Sequence, residues 1–328
     1  MEYRQLGKSG VRVSPICLGT AFRAFWHGQS DEKTSIETIE RAVDLGVNFI
    51  DCANFYFAGR CETVLGKALK GLGAARRENL VVTSKVWSRI GKGPNDQGLS
   101  RYHIMREAER SLKRLQVDHI DLYLMHNWDP VTPLEESLRA MDDLVRQGKV
   151  RYIGACNFTA AQVVEALWVS QQYNLNSFVC LQNPYNLLDR AATERELLGR
   201  CRQHGLGMMT YSPLAVGLLS GLFRRTKAAP KGTLWADRGK GALRKAMTPQ
   251  ADRIVEALID IAASHGKTPA QTAFAWILDH PEITAPITGP DRPEHVEEVC
   301  GAADFKLKAD ERALLDELSA WEEPRHYA

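Results

Sequence analysis

The chain has 328 residues, is 44% hydrophobic and 25% charged, and carries a net charge of +2. That length is ample for a large buried core, and the near-neutral, ordinary composition gives no footing for a nucleic-acid or membrane-surface partner. Seven scattered cysteines without a Cys-x-x-Cys pair argue against a disulfide framework or a zinc site, so no metal is expected.

The N-terminus is charged from its second residue, and no run of about 18 apolar residues follows. Neither a signal peptide nor a transmembrane helix is therefore expected, and a reducing cytoplasm fits the cysteine usage. In chain order, short apolar runs alternate with helical stretches. Residues 15–19 read as a first strand; 34–45 read as a helix, with Ile36, Ile39, Ala42 and Val43 at helical spacing and Gly46 as its stop. The next strands are 47–51, 80–85, 120–125 and 150–154, separated by helices at 62–69, 103–115 and 134–147. A helix at 160–172 leads to the strand 178–182, and one at 192–204 leads to the strand 207–211. The last pair is a helix at 252–265 and a strand at 284–287, followed by a helix at 293–300.

Eight strand–helix units imply a parallel sheet, and their number predicts closure into a single-domain (β/α)8 barrel over residues 1–328. The Gly-, Lys- and Arg-rich stretch 212–249 reads as a long loop after the seventh strand, a candidate lid; a disordered surface insertion is the alternative.

In such a barrel the strand C-termini carry the site. Here they end in Gly19-Thr20, Asp51, Lys85, His126, Asn157, Gln182, Tyr211-Ser212 and Gly289, nearly all of them polar groups that packing alone would not require. A carboxylate directly after Phe49-Ile50 is partly desolvated and needs a cation, which Lys85 can supply. Tyr56 lies five residues past Asp51. A phenol loses its proton near pH ~10, and a neighbouring ammonium favours the phenolate, so the trio is expected to make a proton donor tuned toward neutral pH. A neutral His126 could hydrogen-bond the oxygen that receives the proton. Alone, each has a plainer reading: a structural ion pair, a packing tyrosine, a satisfied histidine. Together at adjoining strand ends they read as a site.

The stretch Asp51-Cys52-Ala53-Asn54-Phe55-Tyr56, with Cys61-Glu62 and Leu65-Gly66 beyond it, resembles the aldo-keto reductase signature. So do Thr83-Ser84-Lys85-Val86, Asp121-Leu122-Tyr123 through His126, Gly154-Ala155-Cys156-Asn157-Phe158, Gln182-Asn183-Pro184-Tyr185-Asn186, and Tyr211-Ser212-Pro213-Leu214 with Gly217-Leu218. The likeness runs from about Tyr3 to about Leu318, and the segment from Gly93 to Ser100 is similar to the branch holding bacterial reductases and potassium-channel β subunits. The resemblance implies Tyr56 as general acid and base, Lys85 held by Asp51 as the group that tunes it, and His126 as the residue that orients a carbonyl.

It also implies a nicotinamide cofactor, NADPH with NADH left open. No G-x-G-x-x-G follows the first strand, and Gly71-Leu72-Gly73 falls in a loop after a helix. By resemblance Cys156, Asn157 and Gln182 hold the carboxamide and Tyr211 stacks on the ring. Ser212, Leu214 and Gly217 line the pyrophosphate, Gly19 and Thr20 at the mouth are counted among the cofactor-binding residues, and Gly289, Arg292, His295 and Glu298 form the adenosine end. Arg292 suits a 2′-phosphate and Asp291 opposes it. The chain departs from the family pattern at Cys156 (usually Ser), His295 (usually Gln), Val299 (usually Asn), Asn54 and Phe57.

Phe22, Phe25, Trp26, Phe55, Trp87, Trp128 and the loop near Phe223 and Trp235 are candidate pocket walls for an apolar or sugar-like carbonyl, or they pack the rim. The expected partner is a small carbonyl or alcohol, with a homo-oligomer left open. Two other functions stand beside the reductase: a nucleotide-binding regulatory subunit with slow turnover, and a barrel lyase using Lys85 as a Schiff base, which Asp51 opposes.

Overall fold

The computed structural model describes residues 1–22, 32–239 and 241–321. Eight parallel strands close into a barrel: β3 (Cys17–Gly19), β4 (Phe49–Asp51), β5 (Val81–Val86), β6 (Ile120–Met125), β7 (Val150–Cys156), β8 (Phe178–Pro184), β9 (Gly207–Tyr211) and β10 (Ile283–Thr288), with β10 pairing both β9 and β3. The (β/α)8 expectation is met. The preceding strands β1 (Arg4–Gln5) and β2 (Arg12–Val13) form an antiparallel hairpin that the sequence reading missed. Its turn at Gly7, with φ +57°, sits so close to the bottom of the barrel that a Cβ there would meet the Gly207 amide at 2.5 Å. Lys8 donates to the Gly205 carbonyl at 2.7 Å, so the hairpin plugs the face opposite the strand C-termini.

Strand side chains alternate between two layers. Cys17, Phe49, Leu122, Leu124, Cys156, Cys180 and Met209 pack inside the barrel, above Leu6 and Val13 of the hairpin. Ile50, Val82, Tyr123, Met125 and Ala155 face the surrounding helices. The same parity puts Asp51, Thr83 and Lys85 inward and sends Ser84 outward. Register then aligns Gly19 with Asp51, Asp51 with Thr83, Lys85 with Leu124 and Cys156 with Gln182.

Most helices lie where periodicity put them, from Glu32–Asp44 to Pro293–Cys300. The Gly71-Leu72 pair ends the helix Arg60–Leu72 rather than lying in a loop, and the predicted helix 192–204 divides into a π-type segment Thr193–Leu198 and a short α-helix Gly199–His204. The larger correction concerns the seventh unit. Its helix is Pro269–Leu278, which packs on β10, whereas Pro249–Ser264 lies outside it against a further C-terminal helix, Ala309–Leu318. Eight of the ten residues of Pro269–Leu278 are buried, so no amphipathic stripe marks it in the sequence. Its start is nonetheless well specified, by Pro269 and a capping box between Thr268 and Gln271.

The connection after β9 is long, as expected, but it is a packed segment and not a loose insertion. It carries the short helices Leu218–Ser220, Leu234–Asp237 and Ala242–Ala246. Leu218, Leu219, Phe223, Trp235, Leu243 and Met247 are buried, and Trp235 Nε1 donates to the Val216 carbonyl at 3.0 Å.

The helices Arg60–Leu72 and Arg101–Leu115 touch through Gly66, where a Cβ would meet the Arg114 carbonyl at 2.4 Å and the Leu115 backbone at 2.8 Å. Alanine normally gains about 1 kcal/mol over glycine in a helix interior. Here the obstacle is backbone that cannot rotate away, so the clash outweighs propensity. Gly66→Ala is expected to lose about 2–3 kcal/mol, within the range for overpacked cores. Equilibrium urea unfolding checks it; a midpoint at or above wild type would show that the helices separate freely.

Candidate active site

The mouth of the barrel gathers the polar strand ends around one buried cation. Lys85 is fully buried, and Asp51 is 2% exposed. The ammonium donates to Asp51 Oδ2 at 2.6 Å, to the Cys52 carbonyl at 2.8 Å and to the Tyr56 hydroxyl at 3.1 Å. It thereby spends all three N–H donors, the condition under which a buried charge is tolerated. Asp51 Oδ1 accepts from Gln182 Nε2 at 2.9 Å across the barrel, and the Asp51 carbonyl accepts from the Thr20 amide and hydroxyl at 2.9 and 3.0 Å.

Burial alone would strip the proton from Lys85, but Asp51 above all, with Tyr56 and Cys156, reverses this and holds the ammonium above the ordinary lysine range. The Tyr56 phenol moves the other way from the expectation. Burial pushes it up, and Lys85 pulls it back without overcoming that push, while Asp51 adds to it. The lysine acts in the predicted direction, but desolvation of the phenol is larger, so Tyr56 is held firmly protonated. Burial, then Lys85, keeps the His126 ring well below the usual histidine range and therefore neutral. Its Nδ1 is buried without a partner. The rings of Tyr56 and His126 lie 5.9 Å apart, and Phe55 stands edge-on to each at 5.1 Å.

A second set continues along the rim. Asn157, in the left-handed region at φ +58°, donates from Nδ2 to the His126 carbonyl at 2.9 Å and accepts from the Tyr211 hydroxyl at 2.8 Å. Ser212, Ala215, Val216 and Gly217 all have positive φ, and Asn186 Nδ2 donates to the Ser212 carbonyl at 3.0 Å. Among the described residues, eight non-glycine positions have positive φ, and six of them (Phe57, Ala58, Asn157, Ser212, Ala215 and Val216) follow strand C-termini on this face. Such strain persists where surrounding structure enforces it and concentrates at functional sites.

The remaining candidates divide. Phe55, Trp87 and Trp128 are half-buried at the rim, Trp128 edge-on to Phe158 at 5.3 Å. Phe22 is 1% exposed within the layer between barrel and helices, and Trp26 lies outside the described residues, as does Phe25. Gly19 is buried where a Cβ would meet the Thr288 carbonyl at 2.6 Å, so closure of the barrel accounts for it. Cys156 is fully inside the barrel, its thiol pushed up by burial. Leu214 is half-buried; Gly289 is exposed with open space around it. At the end expected to take an adenosine, Arg292 is exposed and donates to His295 Nε2 at 3.1 Å, Asp291 Oδ1 is buried without a partner, and Glu298 uses its carbonyl to accept from Gln271. Glu62, Asn183 and Asn186 stand in the quoted motifs but carry no role there, and Glu107 and Arg114 are not singled out by the sequence at all. Their burial is the signal, and it is visible only once the helices are in place. Among the described residues no group of three or more His, Cys, Asp or Glu is placed to hold a metal ion.

The aldo/keto reductase family model matches residues 15–320. An uncharacterized oxidoreductase, YrpG, of Bacillus subtilis (strain 168) is 38% identical over 339 aligned positions that span all of both chains. Proteins named as probable voltage-gated potassium channel subunit beta from Arabidopsis thaliana and from Oryza sativa subsp. japonica are each 36% identical, over 93% of this chain and 92% of their own.

Removing Asp51 tests the charge balance. Because its folded pKa is raised, Lys85 contributes stability that is fully present below the ordinary lysine value and is lost only as pH rises through the folded one. In Asp51→Asn burial is opposed far less, so the folded value drops and stability falls as pH descends through the lysine range. The variant is expected to lose about 3–5 kcal/mol at pH 7. That deficit should shrink between about pH 7 and 9.5, approaching the lysine range. Urea unfolding of both chains across this window measures it; a constant small deficit would refute the compensation.

Proposed function

The chain belongs to the aldo/keto reductase family, and from that premise we propose that it reduces an aldehyde or ketone to an alcohol, or runs the reverse, with Tyr56 as the proton donor. Family membership and the named oxidoreductase relative make it an oxidoreductase, and members of the family generally use nicotinamide cofactors. The observation that carries the finer reading is the 3.1 Å contact between the Lys85 ammonium and the Tyr56 hydroxyl at the barrel mouth.

A protonated phenol is the form needed to donate to a carbonyl oxygen. As the proton leaves, charge develops on the phenol oxygen, and the ammonium is already in hydrogen-bond contact with it. Neutral His126 retains an N–H with which to orient the carbonyl. Donation by a placed acid of this kind contributes about 10²–10⁴-fold.

The rim residues fit a nicotinamide nucleotide. Gln182 spends its amide nitrogen on Asp51 Oδ1 and on Met209 Sδ at 3.9 Å, which leaves its oxygen to accept from a carboxamide. Tyr211 supplies an aromatic face beside it, with Asn157 fixing its hydroxyl. Along the left-handed run Ala215, Val216 and Gly217, the Ala215 N–H is spent on the Ser212 carbonyl at 2.9 Å, and the Val216 and Gly217 N–H groups are the ones proposed to meet a pyrophosphate. A nicotinamide bound there would supply the hydride. Arg292 suits the 2′-phosphate of NADPH, whereas the unpartnered Asp291 oxygen suits a ribose hydroxyl as NADH presents it. We assign NADPH as the preferred form on the exposed guanidinium.

The names of the two plant relatives support a second reading, a nucleotide-binding regulatory subunit in which turnover is slow. The Schiff-base alternative is disfavoured: it needs a lysine that loses its proton easily, and Asp51 holds Lys85 charged.

Tyr56→Phe is expected to lose at least about 10²-fold in turnover, the lower end for a lost general acid, while binding NADPH as wild type does. Quenching of tryptophan fluorescence by NADPH and by NADH measures the second part. Normal turnover in Tyr56→Phe would sink the mechanism, and tighter binding of NADH would hand the adenosine end to Asp291.

A further inference from the structure

Behind the proposed site lies a buried ion triad that the chemistry above does not use. Glu62 and Glu107 are fully buried, and Arg114 of the helix Arg101–Leu115 stands between them. Arg114 Nε donates to Glu62 Oε2 at 2.6 Å; its Nη2 donates to Ser111 Oγ at 3.2 Å and lies 3.6 Å from Glu107 Oε2. Arg110 donates to the far oxygen of Glu107 at 2.7 Å.

Each carboxylate reaches a neighbour of Lys85 or of Tyr56. Glu62 Oε1 accepts at 2.5 Å from Ser84, the residue before Lys85. Glu107 Oε2 accepts at 3.2 Å from Asn54, two residues before Tyr56, and the Asn54 amide donates to the Lys85 carbonyl at 3.2 Å. The Arg114 side chain itself lies under the turn that follows Tyr56, its Cδ 2.8 Å from where a Cβ on Gly59 would stand. That turn is strained. Phe57 (φ 52°, ψ 45°) and Ala58 (φ 52°, ψ 39°) are left-handed without being glycine, and Gly59 continues at φ 89°. Two adjacent left-handed L-residues do not persist without an external hold.

We propose that Arg114 is a positioning residue: through Glu62 and Glu107 it clamps the strained Tyr56–Gly59 turn against β5, and so sets the distance between the Tyr56 hydroxyl and Lys85. A buried ion triad is weak evidence for stability as such, since apolar replacement is often neutral or better. What the triad supplies here is geometry. The planar guanidinium places Nε on one carboxylate and Nη2 near the other, which a lysine cannot reproduce. The proposal rests on Tyr56 being the proton donor, and its test separates the two ideas.

Arg114→Lys keeps the charge against two buried carboxylates, so the chain should fold. Its turnover of 4-nitrobenzaldehyde with NADPH is expected to fall by about 10–100-fold, the scale of an ångström-sized misplacement. KM should move by less than about 3-fold, as befits a contact that matters in the transition state. Hydrogen exchange of the segment 52–60 should quicken at least about 10-fold while the barrel strands keep their protection. Ala58→Gly, at an exposed position, offers a second route: glycine takes the left-handed backbone without strain, so added to Arg114→Lys it should restore part of the lost turnover and slow the exchange of the same segment. Arg114→Lys keeping wild-type turnover and exchange would overturn the proposal, as would no recovery in the double variant or loss of protection spread evenly over the barrel. Failure of the wild-type chain to reduce the aldehyde would overturn the activity reading alone, and exchange would still decide the role of Arg114.

Discussion

A lysine ammonium without solvent is the constraint on which the rest of the molecule turns. Lys85 is buried in a barrel interior otherwise lined by Phe49, Leu122, Leu124, Met209 and buried cysteines. Desolvating it costs several kcal/mol, and only a carboxylate plus two more acceptors restores the balance. Asp51 must therefore lie on the adjacent strand with its side chain on the same face, which the β4–β5 register provides. Asp51 in turn must spend its second oxygen, and Gln182 reaches across from β8 to take it. The third ammonium donor needs an oxygen from a loop, and Tyr56 is the side chain that supplies it. The inward facing of Asp51, the reach of Gln182 across the barrel and the placing of Tyr56 after β4 thus answer to one charge.

The strain distribution has the same origin. A loop that must return a hydroxyl to the barrel axis within five residues of a strand end has little freedom, and Phe57 and Ala58 are driven left-handed. Ser212, Ala215 and Val216 show the same on the opposite rim, where the chain leaves β9 for the long packed connection. Such residues cost of order 1–3 kcal/mol each and are held by what lies beneath. Under the first loop that is the Arg114 triad; under the second, the contact of Trp235 with Val216 and the buried row from Leu218 to Met247. The rigid part of the mouth is braced from outside the barrel, through helices that never reach the site.

This division explains what could be read from the chain. Strand ends are punctuated by polar residues after apolar runs, so Asp51, Lys85, His126, Asn157, Gln182 and Tyr211 were legible, as was the eightfold alternation. Helix Pro269–Leu278 was not, because burial all round leaves no period. Nor was the triad: Glu62, Glu107 and Arg114 sit on amphipathic helices where charged residues ordinarily face water, and only the contact of two helices at Gly66 turns them inward. The state of Tyr56 escaped for a related reason. A sequence shows which charges are neighbours but not how dry the space between them is, and here desolvation outweighs the neighbouring cation.

That last reversal bears on direction. If Tyr56 is the proton donor proposed, a phenol lowered into the neutral range would be partly ionised before a carbonyl arrived, and the acid form would be diluted. A phenol raised by burial is fully protonated at rest, and the stabilisation by Lys85 is realised only as charge develops on its oxygen. That is the pattern of an interaction stronger in the transition state than in the ground state, the kind that raises turnover and not merely affinity. The reverse reaction begins from the opposite form. An alcohol must lose its proton to a phenolate, which burial makes scarce. On the proposed reading, the dry setting that suits Tyr56 as an acid weighs against it as a resting base, which favours reduction over the reverse.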